Sequence, residues 1–158
     1  MDKYVITVGT AGYGEVFINK GKIAKFNFYF NKSLNMDVSR NRPYIVNKLE
    51  QDIRDYFKGI KVNFLKYELD FSRLSQFERN ILEQLRKIGY GEVISYSKLG
   101  EKAGYYKAAR AVGRVMKKNP FPIIIPCHRV VKSNGDIGEY TPGKKYKTQL
   151  LLLESALY

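Results

Sequence analysis

Lys107-Ala108-Ala109-Arg110-Ala111-Val112-Gly113-Arg114-Val115-Met116-Lys117-Lys118 decides how the second half of this chain is read. At about 100° per residue, the spacing predicts a helix. Ala108, Ala111, Val112, Val115 and Met116 make an apolar face, and Lys107, Arg110, Arg114, Lys117 and Lys118 share a basic one. Ala109 and Gly113 lie between the two and leave a strip with almost no side chain. Upstream, Lys98 to Ala103 predicts a short helix, which Gly104 breaks. Helix, short glycine-containing turn, helix is the helix-turn-helix pattern. From Lys98 to Lys118 there are seven basic residues and one acid, Glu101. A solvated face ordinarily mixes both signs. A basic stripe beside a bare strip points instead to close approach to a phosphate backbone.

Asn119-Pro120 ends that helix. Phe121 to Ile125 reads as a buried strand ending in a turn, and it delivers Cys127-His128, the only cysteine and the only histidine. A thiolate is a good nucleophile, but a free thiol titrates near about 8.5. A nearby imidazole can take its proton. Successive side chains of an extended segment point to opposite faces, so His128 is expected to act through a bridging water. The bland alternative is a small buried hydrophobe beside a satisfied core histidine. Val130 to Ile137 reads as a β-hairpin with Asn134-Gly135 at its turn. Gly138 to Gly143 is a loop that can close over a pocket. The last helix runs from about Lys145 to Leu157. Glu154 stands among its leucines, and a carboxylate in apolar surroundings needs a partner. Arginine and His128 are the candidates.

Toward the N-terminus, Ser75-Gln76-Phe77-Glu78 is a capping box. It opens a helix with Phe77, Ile81, Leu85 and Ile88 inward, and a domain boundary falls near residues 66 to 75. Tyr4 to Val8, Val16 to Ile18 and Ile23 to Phe30 read as strands, with Phe26, Phe28 and Phe30 at period two. Residues 31 to 41 read as loop. Pro43 starts a helix whose Ile45, Val46, Leu49, Ile53 and Tyr56 recur at helical spacing, and Gly59 stops it. A further short strand is predicted over Ile60 to Phe64. The outcome is an α/β unit, residues 1–68, followed by a mostly helical one, residues 69–158.

Composition sets the bounds. The chain has 158 residues, enough to bury a core without staples. One cysteine excludes an intrachain disulfide and a Cys/His zinc cage. No window approaches the length of a membrane span, and the first residues carry no signal-peptide pattern, so a cytoplasmic protein is expected. Lys and Arg number 28 against 15 Asp and Glu, a formal net charge of +13. That balance suits a polyanion, most often nucleic acid.

These residues together resemble the O6-alkylguanine-DNA alkyltransferases. Pro126-Cys127-His128-Arg129-Val130 matches the family's active-site motif. Val93-Ile94-Ser95-Tyr96, Lys107 to Gly113, Asn119-Pro120, Gly138-Glu139-Tyr140 and Glu154 follow in order, over roughly residues 70 to 158. The resemblance implies an RNase H-like N-terminal domain and a winged helix-turn-helix C-terminal domain. It implies stoichiometric transfer of an alkyl group from O6-alkylguanine, and O4-alkylthymine, in DNA to Cys127, with base flipping.

By the same resemblance, His128 deprotonates Cys127 through a water, Glu154 orients His128, and Asn119 buttresses the turn. Tyr96, Met116, Val130, Tyr140, Thr141 and Lys147 form the base pocket. Arg110 fills the vacancy in the base stack, and Lys107, Ala109, Gly113 and Arg114 meet DNA in the minor groove. The implied partner is double-stranded DNA carrying O6-alkylguanine, met by a monomer, singly or cooperatively. No cofactor, metal or membrane is implied. Thr141-Pro142 departs from the serine-glycine pair common in the family. The competing readings are a non-catalytic binder of alkyl lesions, against which Cys127 argues, and a multiple-turnover thiol hydrolase.

Overall fold

Alternation at period two builds the first sheet. In the computed structural model, which describes residues 1–35, 38 and 41–156, strands β1 (Asp2–Thr7), β2 (Gly12–Asn19) and β3 (Lys22–Phe30) form an antiparallel meander. Lys20 and Gly21 both take positive φ at the β2–β3 turn, the backbone that a tight hairpin needs. Val16, Ile18, Ile23, Phe26, Phe28 and Phe30 are buried. A register shift at Phe17/Ile18 explains why inward parity changes between Ile23 and Phe26.

Helix α1 (Tyr44–Phe57) buries Val46, Leu49, Ile53 and Tyr56. Glu50 ties it to β1: its carboxylate accepts from Thr7 N–H and from Arg42, which also donates to the Val5 carbonyl. The strand predicted over Ile60 to Phe64 does not form. The Asn63 side chain instead accepts from Leu65 N–H and opens a 3-10 turn, Phe64–Lys66. The chain meets the sheet only later, where Leu69 bridges Ile23. Of the loop read over residues 31 to 41, residues 36, 37, 39 and 40 lie outside those described.

The chain divides into two compact units, Met1–Asp70 and Phe71–Tyr158. In the second, Ser75 and Glu78 complete the reciprocal cap of α2 (Gln76–Leu85). Ile81, Leu82 and Leu85 are its buried stripe, and half-buried Phe77 meets Tyr105 edge-on. Ser95 closes the short strand β4 (Ile94–Ser95) and caps α3 (Tyr96–Lys102) through Lys98 N–H. Gly104, at φ 89°, turns the chain toward α4 (Ala109–Lys117). Lys107 stands before this helix at φ 53° rather than on its face, so the basic stripe on α4 consists of Arg110, Arg114 and Lys117.

Three further expectations are corrected. Phe121 to Ile125 is buried apart from half-buried Pro122, but it is a pair of tight turns, not a strand: Ile124 N–H donates to Pro122 and Ile125 N–H to Phe121. Strand β5 (Val130–Val131) pairs in parallel with β4, not with a hairpin partner. The Asn134-Gly135 turn exists, closed by Lys132 N–H to Asp136, but no return strand follows. Helix α5 spans Lys144–Leu153, with Glu154 as its C-cap; Leu157 lies outside the described residues. The described residues thus form a mixed α/β fold with two small sheets and five α-helices.

Candidate active site

The turns after α4 place the cysteine. Asn119 fixes them from both sides: its amide donates to the Ile125 carbonyl at 3.0 Å, and its oxygen accepts from Phe121 N–H at 3.0 Å. Cys127, His128 and Arg129 then form one 3-10 turn, all buried. His128 Nε2 lies 2.7 Å from Glu154 Oε1. Arg129 takes the same carboxylate with two bonds of 2.9 Å, from Nε to Oε2 and from Nη2 to Oε1, and donates to the Ile88 carbonyl. Gly91 N–H adds a contact of 3.3 Å. Glu154 therefore has both a histidine and an arginine. The lone acid among leucines was the sequence signal for Arg129, which no motif singled out for a role of its own.

Lys147 is a further buried charged residue, with no exposed surface. Its ammonium donates to the Val130 carbonyl at 2.6 Å and the Glu139 carbonyl at 3.2 Å, and sits 5.8 Å from the centre of the Tyr96 ring. Burial pulls Lys147 down to about 8.

Cys127 forms part of the lining of a cavity of about 580 Å³ with Tyr96, Ala109, Arg110, Gly113, Met116, Lys117, Lys132, Glu139, Tyr140 and Thr141. Ligand pockets span about 300–1,000 Å³, so this cavity has room for a small molecule or a single aromatic group. The cavity gathers Tyr96, Ala109, Arg110, Gly113, Met116, Tyr140 and Thr141 around the sulfur. It does not include Val130 or Lys147, whose contact with each other is buried, nor the exposed Lys107 and Arg114. Lys117, Lys132 and Glu139 join the lining without having been singled out as pocket residues. The Thr141 hydroxyl donates to the Lys117 carbonyl at 3.3 Å, which pins the loop after Gly138 to the end of α4.

Burial pushes the Cys127 thiol up. Asn119, Lys147 and the backbone N–H groups of Cys127 and His128 act in the opposite direction. Burial likewise pulls His128 down, against the pull of Glu154. Burial alone would raise Glu154, but hydrogen bonds from His128 and Arg129 hold it well below the usual carboxylate range. The resting site is thus a neutral thiol beside a neutral imidazole, with donors placed to favour a thiolate once it forms. Burial also raises Tyr96 and Tyr140, so both keep their protons and can donate. Among the described residues, no three His, Cys, Asp or Glu side chains gather to hold a metal, and no helix is long and apolar enough to cross a membrane.

Comparison with known proteins agrees with this geometry. Residues 76–156 match the family described as 6-O-methylguanine DNA methyltransferase, DNA binding domain. A methylated-DNA–protein-cysteine methyltransferase of Methanothermobacter thermautotrophicus is 36% identical over 112 residues, covering 71% of this chain and 62% of that protein. Its human counterpart by name is 53% identical over 79 residues, covering 49% of this chain and 38% of that protein. The chain therefore matches less than two thirds of the length of either relative. The crystal structure of Mycobacterium tuberculosis OGT in complex with DNA superposes with a TM-score of 0.77 at 26% identity, covering 98% of this chain and 93% of that one. The turn that buries Cys127 beside His128, the helix pair before it and these likenesses lead to one conclusion: the chain belongs to the 6-O-methylguanine DNA methyltransferase family.

Proposed function

We propose that this chain repairs DNA by direct reversal, moving an alkyl group from O6-alkylguanine, and from O4-alkylthymine, onto Cys127 in a single turnover. One observation carries the reading: the only cysteine lines a base-sized cavity, one wall of which is the bare strip of α4, Ala109 and Gly113, beside Arg110. An alkylated base stacked in duplex cannot reach that sulfur, so the nucleotide turns out, at a cost of a few kcal/mol. Arg110 takes the vacated place in the stack. Lys107, on the turn before α4, and Arg114 contact phosphates. The α3–α4 pair followed by β5 and its turn supports a winged helix-turn-helix description. The meander followed by α1 supports an RNase H-like one. Double-stranded DNA carrying the lesion is the partner, bound by one molecule or by several side by side.

The chemistry balances without a cofactor. The thiol proton passes to His128 through a water, and Glu154 stabilises the imidazolium. The sulfur electron pair forms the S–C bond as the C–O6 bond breaks, and the departing pair stays on the purine. Tyr96 gives the purine a proton and recovers one from His128 through solvent, so the thiol proton ends on guanine. Asn119, Lys147 and two backbone N–H groups stabilise the transient thiolate. Lys147 also holds the Val130 and Glu139 carbonyls, which keeps the pocket wall in place, while Met116, Tyr140 and Thr141 bracket the base.

The test is mass spectrometry after incubation with duplex containing O6-methylguanine. One methyl mass on the Cys127 peptide, equal in amount to the lesions removed, is expected. Repaired DNA with an unmodified Cys127 would refute the reading. Lesion binding with no transfer would leave a non-catalytic binder.

A further inference from the structure

The β2–β3 turn and the first turns of α1 border a second cavity, of about 430 Å³, wholly within the first unit. Lys20, Lys22, Lys48 and Lys66 line it, together with Tyr44 and Tyr67. Two of the lysines are gathered by one buried acid. Asp52 is 4% exposed, and its carboxylate takes Lys66 Nζ at 2.7 Å, Lys48 Nζ at 3.4 Å and the Tyr67 hydroxyl at 2.5 Å. Glu68 is the one carboxylate in the lining, and it reaches Lys22 only at 3.8 Å with its side chain largely in solvent. Lys20, in left-handed backbone at the turn, makes no ion pair among the described residues. Four lysines and one carboxylate thus line the concavity, and even with Asp52 counted against Lys48 and Lys66 a net positive charge remains.

Tyr44 stands 80% exposed at the edge of this basic hollow. Lysines kept for solubility have no need of a buried acid to converge them or of an exposed ring beside them. A repeating anion attached to flat or apolar groups matches both features. Lysine ammoniums meet phosphate oxygens as point charges, and an exposed tyrosine offers a face for a sugar or a base.

We propose that this cavity binds the phosphodiester backbone of a DNA strand, in addition to the engagement of DNA at the Cys127 cavity. The inference rests on the reading that the chain acts on DNA.

Replacing Lys20 by Asn and Lys22 by Gln spares the Asp52 cluster, and asparagine tolerates the left-handed backbone at position 20. Binding to a short undamaged duplex is measured across a salt series. The expected result is weaker binding at low salt and a log–log salt slope shallower by about 0.9 for each phosphate no longer neutralised, with transfer from free O6-benzylguanine unchanged. Tyr44→Ala should weaken binding with little change in slope. An unaltered affinity and slope in the lysine variant overturns the proposal. So does equal protection of Lys20 and Lys22 from acetylation by the mononucleotide dAMP at matched phosphate, which would assign a free nucleotide instead. Failure of the unsubstituted protein to accept a methyl group from lesion duplex would sink the repair reading and leave the salt-slope comparison standing.

Discussion

Arg129 grips both oxygens of Glu154, at 2.9 Å each, while His128 holds one of them at 2.7 Å. One carboxylate therefore serves two adjacent residues of the same turn. Arg129→Met leaves that charge buried with half its support. Breaking a buried pair on one side costs about 3–5 kcal/mol, read as a fall in the urea midpoint. Adding Glu154→Gln should recover part of the loss, because no uncompensated carboxylate remains.

Acid should loosen the second unit in two stages. His128 is pulled below its ordinary 6.5 by burial, and Glu154 is held below its ordinary 4.5 by His128 and Arg129 despite burial. Both folded values lie below the unfolded ones. Each contribution is therefore complete above the unfolded value and drains away as pH falls toward the folded one. The urea midpoint should decline from about pH 6.5 and more steeply below about 4.5. In Glu154→Gln the lower stage should shrink.

Asn119→Ala should slow alkylation of Cys127 by iodoacetamide at neutral pH. It removes a donor to the thiolate, and such a bond contributes about 1.5–3 kcal/mol, or roughly ten- to a hundredfold in rate. Circular dichroism separates this from collapse of the Phe121–Ile125 turns. An unchanged rate in a folded variant would remove Asn119 from the chemistry.

Gly113→Ala separates fold from function. A Cβ at Gly113 meets nothing nearer than the Tyr96 ring at 3.9 Å. Helix propensity then favours alanine by up to about 1 kcal/mol, so thermal stability should hold or rise. On the proposed docking, affinity for duplex should fall, because the added methyl group would stand where α4 meets the groove. Stronger or equal binding would mean that the bare strip does not meet the DNA.

Arg110→Ala should lower transfer from duplex by about tenfold or more, because the unstacking cost of a few kcal/mol loses its compensation. Transfer from free O6-benzylguanine should not change. Equal losses on both substrates would show that Arg110 acts on the pocket rather than on the base stack.

Much of this arrangement was legible in the sequence because it depends on local rules. The capping box at Ser75 and Glu78, the period-two phenylalanines of β3 and the amphipathic α4 follow from spacing alone. Phe121 to Ile125 was not legible. Its apolar run suits a strand, yet Asn119 bonds to both ends and folds it into turns. Val130 likewise found its partner in β4, 36 residues away in register with Ile94, which no hairpin signal encodes. The need of Glu154 for a cation was readable, whereas its sharing between His128 and Arg129 required the 3-10 turn that brings adjacent side chains to one carboxylate. Lys107 slipped off its helix for a local reason, a left-handed backbone that spacing arguments do not see.

Helix α5 carries both buried charges that face the Cys127 turn from another element, Lys147 on Val130 and Glu154 on His128 and Arg129. Helices α3 and α4 pack against each other and both against α2, with Leu99, Val112 and Val115 buried. On the proposed reading, local opening of α5 alone would disarm the sulfur and leave the grip on DNA. Such a molecule would be an obstruction on the double helix, masking the damage it had found, and the docking of one short helix would then separate a mender from a roadblock.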